Sequence, residues 1–515
     1  MPAAAELTER RPDAPRGLAV DRRRQLLRLL DQRRQALLLA SLFLIVVGSR
    51  AAVINHAGNP TPYLDEWDGG AANLLRPYLQ NTLTVGDLFR AHNEHVIFFT
   101  RVLTLGILTL SGYWDVILQM IVNAILDAAT VVAASYALSR PLRGGWAMAA
   151  MVVSALINAL PLSCDNILLG FETHFYLLLA FSLASLWFMA DSGAWSLRWA
   201  AGILFALASF LCMASGALTL AAATGLHLLQ AGCGRRAGAR EWLGIAASAG
   251  ATVLLAGLIP HAPSSDAYRA QSLTQFLSAV FELMSWPAPL GLGWLMALPS
   301  ALFCLRTLAD RPPLRDPRWF NVAAFGWILT QFAAFAAGRA VTPIQNRYLD
   351  TLLMGGAVNI TSAFWLVGSG AASGRRQFWR SAALALWLVV VAASFVHTTR
   401  ALPGWVETRR GAAEVQERNL RNYLANGDPS FLGGVPMADI PYPDSTRLRE
   451  LLDTPEIRAA LPPDLLSRDP QSNWVEWFKR TFLGGAFGWL AAGVFLLLTV
   501  LARAAWAPAA QGPQA

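Results

Sequence analysis

The sequence predicts an all-α polytopic membrane protein: about twelve transmembrane helices, an interfacial helix in the first outer loop and a small extracytoplasmic domain late in the chain. Three observations predict it. Of the 515 residues, 55% are hydrophobic and only 14% charged, whereas a soluble domain carries about 25% charged residues. Apolar runs long enough to cross about 30 Å of hydrocarbon recur along most of the chain. The arginines gather in short loops between those runs rather than on one exposed stripe. Membrane topology therefore accounts for the formal charge of +8, and nucleic acid drops out as a partner. Arginine carries nearly all of that charge, since Lys479 is the one lysine.

Residues 1–35 form a basic cytoplasmic segment, rich in Arg from Arg10 to Arg34. No small-residue cleavage site follows the first apolar run cleanly, so that run reads as an uncleaved first span. A transmembrane domain occupies 36–397, with spans expected near 36–54, 115–138, 145–161, 174–190, 197–213, 214–231, 242–260, 288–305, 319–338, 348–368 and 379–397. A twelfth span follows at 481–502, and 503–515 is a cytoplasmic tail. The run 96–111 is apolar as well, and counting it would reverse the side of everything after it. The arginines decide the matter. With twelve spans and a cytoplasmic N-terminus, the loops holding Arg140 and Arg143, Arg235 and Arg236, Arg306 and Arg311, and Arg375 and Arg376 all fall inside. Thr100, Arg101, Thr104 and Ser111 share one face of a 96–111 helix whose other positions are apolar, which suits a helix lying in the membrane interface. Residues 197–231 as a single helix would overshoot the bilayer at about 1.5 Å per residue, and Ser215–Gly216 marks a hairpin within them.

Two segments then project outward, the first loop 55–114 and a domain at 398–480. The second holds a helix-like stretch from Glu407 to Tyr423, a Pro- and Gly-rich section from Asp428 to Asp444, and a helix starting near Ser445 with Ser445 or Thr446 as cap. At about 80 residues it is marginal as an independent fold and is expected to pack on the membrane part. Cys164, Cys212, Cys233 and Cys304 are scattered, without paired metal-ligand spacing or a disulfide framework.

The first loop carries the densest polar cluster: Asp65, Glu66 and Asp68, then His92, Asn93, Glu94 and His95 at the start of the interfacial helix. A carboxylate at the membrane surface deprotonates a hydroxyl or holds a divalent cation, while imidazole binds phosphate or metal; the alternative is a solvated loop with ordinary surface charges. Asp65 and Asp68 are the candidate ligands for such a cation, Mg or Mn. The next loop adds Asp165, Asn166, Glu172 and His174 on the same side, and 339–348 adds Arg339, Gln345, Asn346, Arg347 and Tyr348. Arginine suits phosphate because its planar fork offers paired donors, although Arg and Tyr also anchor span ends at the headgroups. Arg101 joins the candidate binding residues. Arg50 either snorkels to the interface or touches a lipid phosphate. Gln119, Asn123 and Asp127 recur every four residues and form a polar stripe, either functional or bonded between helices. No phosphate-binding loop, dinucleotide fingerprint, zinc-protease helix or nucleophile elbow occurs in a credible context.

This layout resembles the GT-C superfamily of membrane glycosyltransferases, nearest in plan to the protein mannosyltransferase and aminoarabinose transferase branches. The shared features are a first span from the cytoplasm, a large first outer loop with the Asp65-Glu66 pair soon after it, an interfacial helix, many further spans and a late outer domain. The resemblance implies a polyprenyl-phosphate sugar donor, Asp65 as base on an acceptor hydroxyl, Glu66 or Asp68 positioning or binding metal, and His92, His95, Arg339 and Arg347 on the leaving phosphate. The acceptor, whether glycan, lipid or protein, is open. The expected location is a bacterial cytoplasmic (inner) membrane with the site facing the periplasm or exterior. Two rivals stand beside it: a transporter or lipid flippase built on the Asp127 stripe, and a non-catalytic envelope assembly factor using 398–480 to hold a partner.

Overall fold

The computed structural model describes residues 33–369, 374–469 and 472–506. Most of the expected basic segment 1–35 and most of the tail 503–515 lie outside them. Among the described residues the chain is helical, with no strand and a single isolated bridge between His92 and His95. Seven helical segments are long and apolar enough to cross a membrane: Arg34–Ala57, Val116–Ser139, Gly170–Met189, Arg318–Gly338, Asn346–Gly368, one within Arg375–Asn426, and Ala486–Ala505. Every other span expected from the sequence also coincides with a helix, but a shorter or less apolar one.

The principal helices in chain order are α1 (Arg34–Ala57), α2 (Phe98–Ser111), α3 (Val116–Ser139), α4 (Gly144–Asn158), α5 (Thr173–Met189), α6 (Leu197–Phe210), α7 (Ala217–Gly232) and α8 (Ala239–Gly257). They continue with α9 (Leu273–Ser285), α10 (Gly293–Asp310), α11 (Arg318–Gly338), α12 (Leu349–Gly368), α13 (Arg375–Thr399) and α14 (Leu402–Asn426). The last three are α15 (Ser445–Leu452), α16 (Asn473–Gly484) and α17 (Ala486–Trp506).

The first and last described helices, α1 and α17, pack against each other. A Cβ at Gly48 would fall 2.8 Å from the backbone N of Leu490, and one at Gly493 would fall 2.9 Å from Ile45 N, so only glycine permits this approach. The hairpin expected at Ser215–Gly216 lies between α6 and α7, with Ser209 Oγ bonded to Gly216 O at 3.2 Å.

Three expectations need correction. Arg50 neither snorkels nor reaches lipid: it is buried, its Nε 2.9 Å from Asp127 Oδ2, and it also donates to the carbonyls of Ala159 (3.1 Å) and Asn158 (2.6 Å). The stripe on α3 is therefore an interhelical network, in which Gln119 donates to Thr173 Oγ1 (3.1 Å) and Asn123 to Gly170 O (2.9 Å). Helix α2 turns its polar face inward. Thr100, Arg101, Thr104 and Ser111 are buried, whereas Val102 and Leu110 are exposed. Amphipathicity marked the two faces, but protein rather than water took the polar one. Finally, α9 is a helix in the stretch between 242–260 and 288–305, where no span is expected. Its start nevertheless shows a Ser-x-x-Gln signature, with Ser272 Oγ accepting from Gln275 N at 3.1 Å.

The late segment packs on the membrane part as expected. Leu420 and Leu424 of α14 and Leu448, Leu451 and Leu452 near α15 share one buried cluster with Trp67, Leu75 and Trp114 of the first loop. The cap of α15 is Asp444, one residue before the expected Ser445, and its carboxylate accepts from Thr446 N (2.9 Å) and Arg447 N (3.0 Å).

Candidate functional site

Asp65 stands at the entrance of a single π-helical stretch, Glu66–Leu75, a rare geometry that marks functional positions more often than chance. The turn before it is made by Leu64 at φ +48°. Glu66 is buried and anchors this turn, its carboxyl accepting from Tyr63 N (2.6 Å) and Phe171 N (3.2 Å). Burial pushes the Glu66 carboxyl up to about 8 despite those two bonds. Trp67 Nε1 donates to Pro62 O (2.9 Å) and fixes the other side. Asp65 is left with its side chain 41% exposed.

Opposite Asp65 is the His92–His95 turn. The two residues exchange backbone bonds of 2.7 and 3.0 Å, and Asn93 sits at the tip with φ +52°. His92 Nε2 lies 3.8 Å from Asp65 Oδ1 and has no hydrogen-bond partner within the protein. Burial opposes ionisation of Asp65, but His92, Arg347 and His174 outweigh it and hold the carboxyl below its ordinary range. His95 is pushed the other way. Burial, joined by the nearby charges of His92, Arg339 and Arg347, brings its imidazole down to about 4 against the pull of Glu94. At neutral pH His95 is therefore uncharged; its Nδ1 accepts from Ala214 N (3.3 Å), which leaves Nε2 to carry the proton.

The second wall comes from two later segments locked together. Asn166 donates to Arg347 O (2.9 Å) and Asp350 Oδ2 (2.8 Å), Asn346 accepts from Asp165 N (2.8 Å), and Ser163 donates to Asp350 Oδ1 (2.5 Å). This lock places consecutive residues in different cavities. Arg347 lines a small polar cavity of about 170 Å³ with Tyr63, Asp165, Glu172, Trp405 and Arg409. Tyr348 lines an apolar groove of about 580 Å³ between α7, α8 and α11, where its ring stacks on Phe335 at 4.0 Å. The groove is walled by residues such as Leu218, Ala256 and Ala333, and its polar groups include Glu94, His95, Arg269 and Arg339. The rings of His95 and His174 lie 6.4 Å apart, and His174 Nε2 is 3.4 Å from Glu172, which lines the polar cavity.

The structure thus brings Asp65, His92, His95, Glu172, Arg347 and Tyr348 into one neighbourhood, with Asp165 in the polar cavity, where burial raises its carboxyl. Glu94 and Arg339 meet at Ser265, which is hydrogen-bonded to both. Two expected residues belong elsewhere. Arg101 Nη1 is consumed by the carbonyls of Leu88, Arg90 and Val96, so it staples the loop rather than meeting a substrate. Asp68 accepts from Tyr442 Oη and from Arg447 Nε (3.3 Å), tying the π-helical stretch to the late domain. Its carboxylate does not join Asp65 in a cation site, and among the described residues no three His, Cys, Asp or Glu side chains gather to hold a metal. A residue that sequence reasoning missed is Arg409 of α14, whose guanidinium lies 3.7 Å from the centre of the Tyr63 ring. Its place on a charged helix of the late domain gave no hint that it enters the same cavity as Arg347.

These features define an α-helical membrane protein with a carboxylate, imidazole and arginine centre beside an apolar groove. No family model, curated protein or solved structure matches the chain.

Proposed function

We propose that the chain is a membrane glycosyltransferase of the GT-C plan, moving a sugar from a polyprenyl-phosphate donor to an acceptor hydroxyl. We place it in a bacterial cytoplasmic membrane with twelve spans and the site on the extracytoplasmic face. The observation that carries this reading is Asp65: a half-exposed carboxylate held below its ordinary range by His92 and Arg347, with Arg347 lining the small polar cavity and His95, which pairs with His92 across one turn, lining the apolar groove together with Arg339.

In the proposed reaction the acceptor oxygen attacks the anomeric carbon as its proton passes to Asp65. The bond from that carbon to the phosphate oxygen breaks, and the polyprenyl phosphate leaves with the electron pair. Arg347 and Arg339 meet the negative charge that develops there, and neutral His95 donates a hydrogen bond from Nε2. Glu66 and Asp68 position the loop. The energy comes from the donor bond, and no step runs through a metal. The alternative transporter reading would rest on Asp127, which is paired with Arg50.

The test is sugar transfer by the purified chain from a polyprenyl-phosphate donor. Asp65→Asn is nearly isosteric and cannot take the proton, so turnover falls by about 10² to 10⁴ while donor binding and thermal stability hold. Full turnover in Asp65→Asn would overturn the assignment.

A further inference from the structure

A second groove lies away from the site, between α10, α12 and α13. It encloses about 390 Å³, within the range of about 300–1,000 Å³ seen for small-molecule sites. Leu298, Leu302, Leu366, Leu384 and Trp387 make its walls apolar, and Trp387 Nε1 fixes one of them by donating to Leu295 O at 3.0 Å. Two arginines from different helices, Arg306 of α10 and Arg380 of α13, line the same groove. Next to it Arg375, Arg376, Trp379 and Arg380 line a further concavity, with Trp379 59% exposed.

The charge there is unopposed. Asp310 and Asp316, the acids that follow Arg306 along the chain, are both bound to Arg318, at 2.8 and 3.0 Å. Among the described residues none of Arg306, Arg375, Arg376 and Arg380 forms an ion pair, and no acid lines either concavity. Three of the four sit in the first two turns of α13, whose first turn holds no acid. The helix dipole favours anions at that end, so cations in this position run against local electrostatics. A bound anion reverses that penalty. Loops carrying arginine do orient membrane proteins, but orientation alone does not require arginines of two separate helices to converge on one apolar groove beside an exposed Trp.

We propose that this groove is a binding site for an anionic phospholipid, with an acyl chain between α10, α12 and α13, the phosphate on Arg306 and Arg380, and Trp379 at headgroup level. The proposal is independent of the transferase reading and of the number of spans.

The test uses the full chain in detergent, titrated with dioleoylphosphatidylglycerol or dioleoylphosphatidylcholine, with retained lipid read by native mass spectrometry. The wild type retains phosphatidylglycerol in preference. The double variant Arg306→Gln/Arg380→Gln loses about 30-fold in affinity for it, the combined effect of two surface arginines on an anionic lipid. A control with the same charge loss on exposed arginines elsewhere, Arg240→Gln/Arg315→Gln, keeps wild-type affinity. Ala383→Trp fills the groove with every arginine in place and also lowers retention. Equal retention of the two lipids, an equal loss in the control, or full retention in Ala383→Trp would each overturn the proposal.

Discussion

Removing Asp127 alone should destabilise the protein strongly, and removing Arg50 with it should restore most of the loss. Both side chains are 1% exposed and 2.9 Å apart. Taking away one partner of such a pair strands a buried charge, at a cost of about 3–5 kcal/mol. In Asp127→Leu the Arg50 guanidinium still donates to the carbonyls of Ala159 and Asn158. Bonds to a charged donor contribute about 1.5–3 kcal/mol each, so the loss falls at the lower end, about 3 kcal/mol. That is about two decades in the folded-to-unfolded ratio. In Arg50→Leu/Asp127→Leu no charge remains stranded, and replacing a buried pair with apolar residues is often neutral or stabilising. The assay is denaturant unfolding of the two single variants and the double variant in detergent, analysed as a thermodynamic cycle, with sugar transfer measured on the folded fraction. Strict additivity of the two single losses would refute the pairing argument. Loss of transfer in Asp127→Asn at unchanged stability would restore a functional role for the stripe.

Sidedness is tested by impermeant thiol labelling from outside the cell: Val85→Cys and Ser430→Cys react, whereas Ala237→Cys and Arg315→Cys do not, and reaction at 315 sinks the twelve-span arrangement. Arg347→Lys keeps the charge but loses the planar fork, so transfer drops at least tenfold; equal activity would make Arg347 an interface anchor only. Arg409→Ala, removing the second arginine of the polar cavity, lowers transfer while thermal stability stays near wild type; unchanged transfer would exclude Arg409 from the site. Glu66 gives a pH signature. Its carboxyl is raised to about 8 when folded, so between the ordinary carboxylate range and pH 8 the folded state binds the extra proton, and stability falls as pH rises through that window. Glu66→Gln keeps an oxygen for Tyr63 N and Phe171 N and reduces that slope, the remainder coming from other buried carboxyls, Glu172 among them; an unchanged slope would show that Glu66 does not contribute.

The legible part of the fold was the part written in local periodicity. Apolar runs gave the helices from 36–54 to 481–502, and the Ser215–Gly216 break was visible because one helix of that length overshoots a bilayer. What failed depended on partners far apart in sequence. Arg50 is a lone charge near a span end until Asp127 and the Ala159 carbonyl are placed around it. The partners of the stripe on α3, Arg50, Thr173 and Gly170, are likewise distant in sequence. On α2 the pattern separated polar from apolar positions correctly, yet amphipathicity cannot say whether water or protein meets the polar side. Asp65, His92, His95 and Arg347 were legible as candidates because such residue types crowd short loops. Arg101 and Asp68 were not separable from them by type, since only three-dimensional neighbours reveal that Arg101 Nη1 is bound to loop carbonyls and that Asp68 is held by Tyr442 and Arg447.

The late domain takes its meaning from those same long-range bonds. Pro441 O accepts from Leu64 N at 2.9 Å, directly before Asp65, and Tyr442 and Arg447 hold Asp68 three residues after it. Ala460 O accepts from Trp114 N at 2.8 Å, and Lys479 bonds Asp115 at 2.8 Å, so the far end of the first loop is also pinned. A loop of this length tied only at its two span ends would keep much of its conformational freedom. Placing Asp65 against His92 requires that freedom to be removed, and the residues that remove it come from 441 to 479. Arg409, from the same domain, adds a charge to the cavity beside it. The domain is thus a built part of the candidate site.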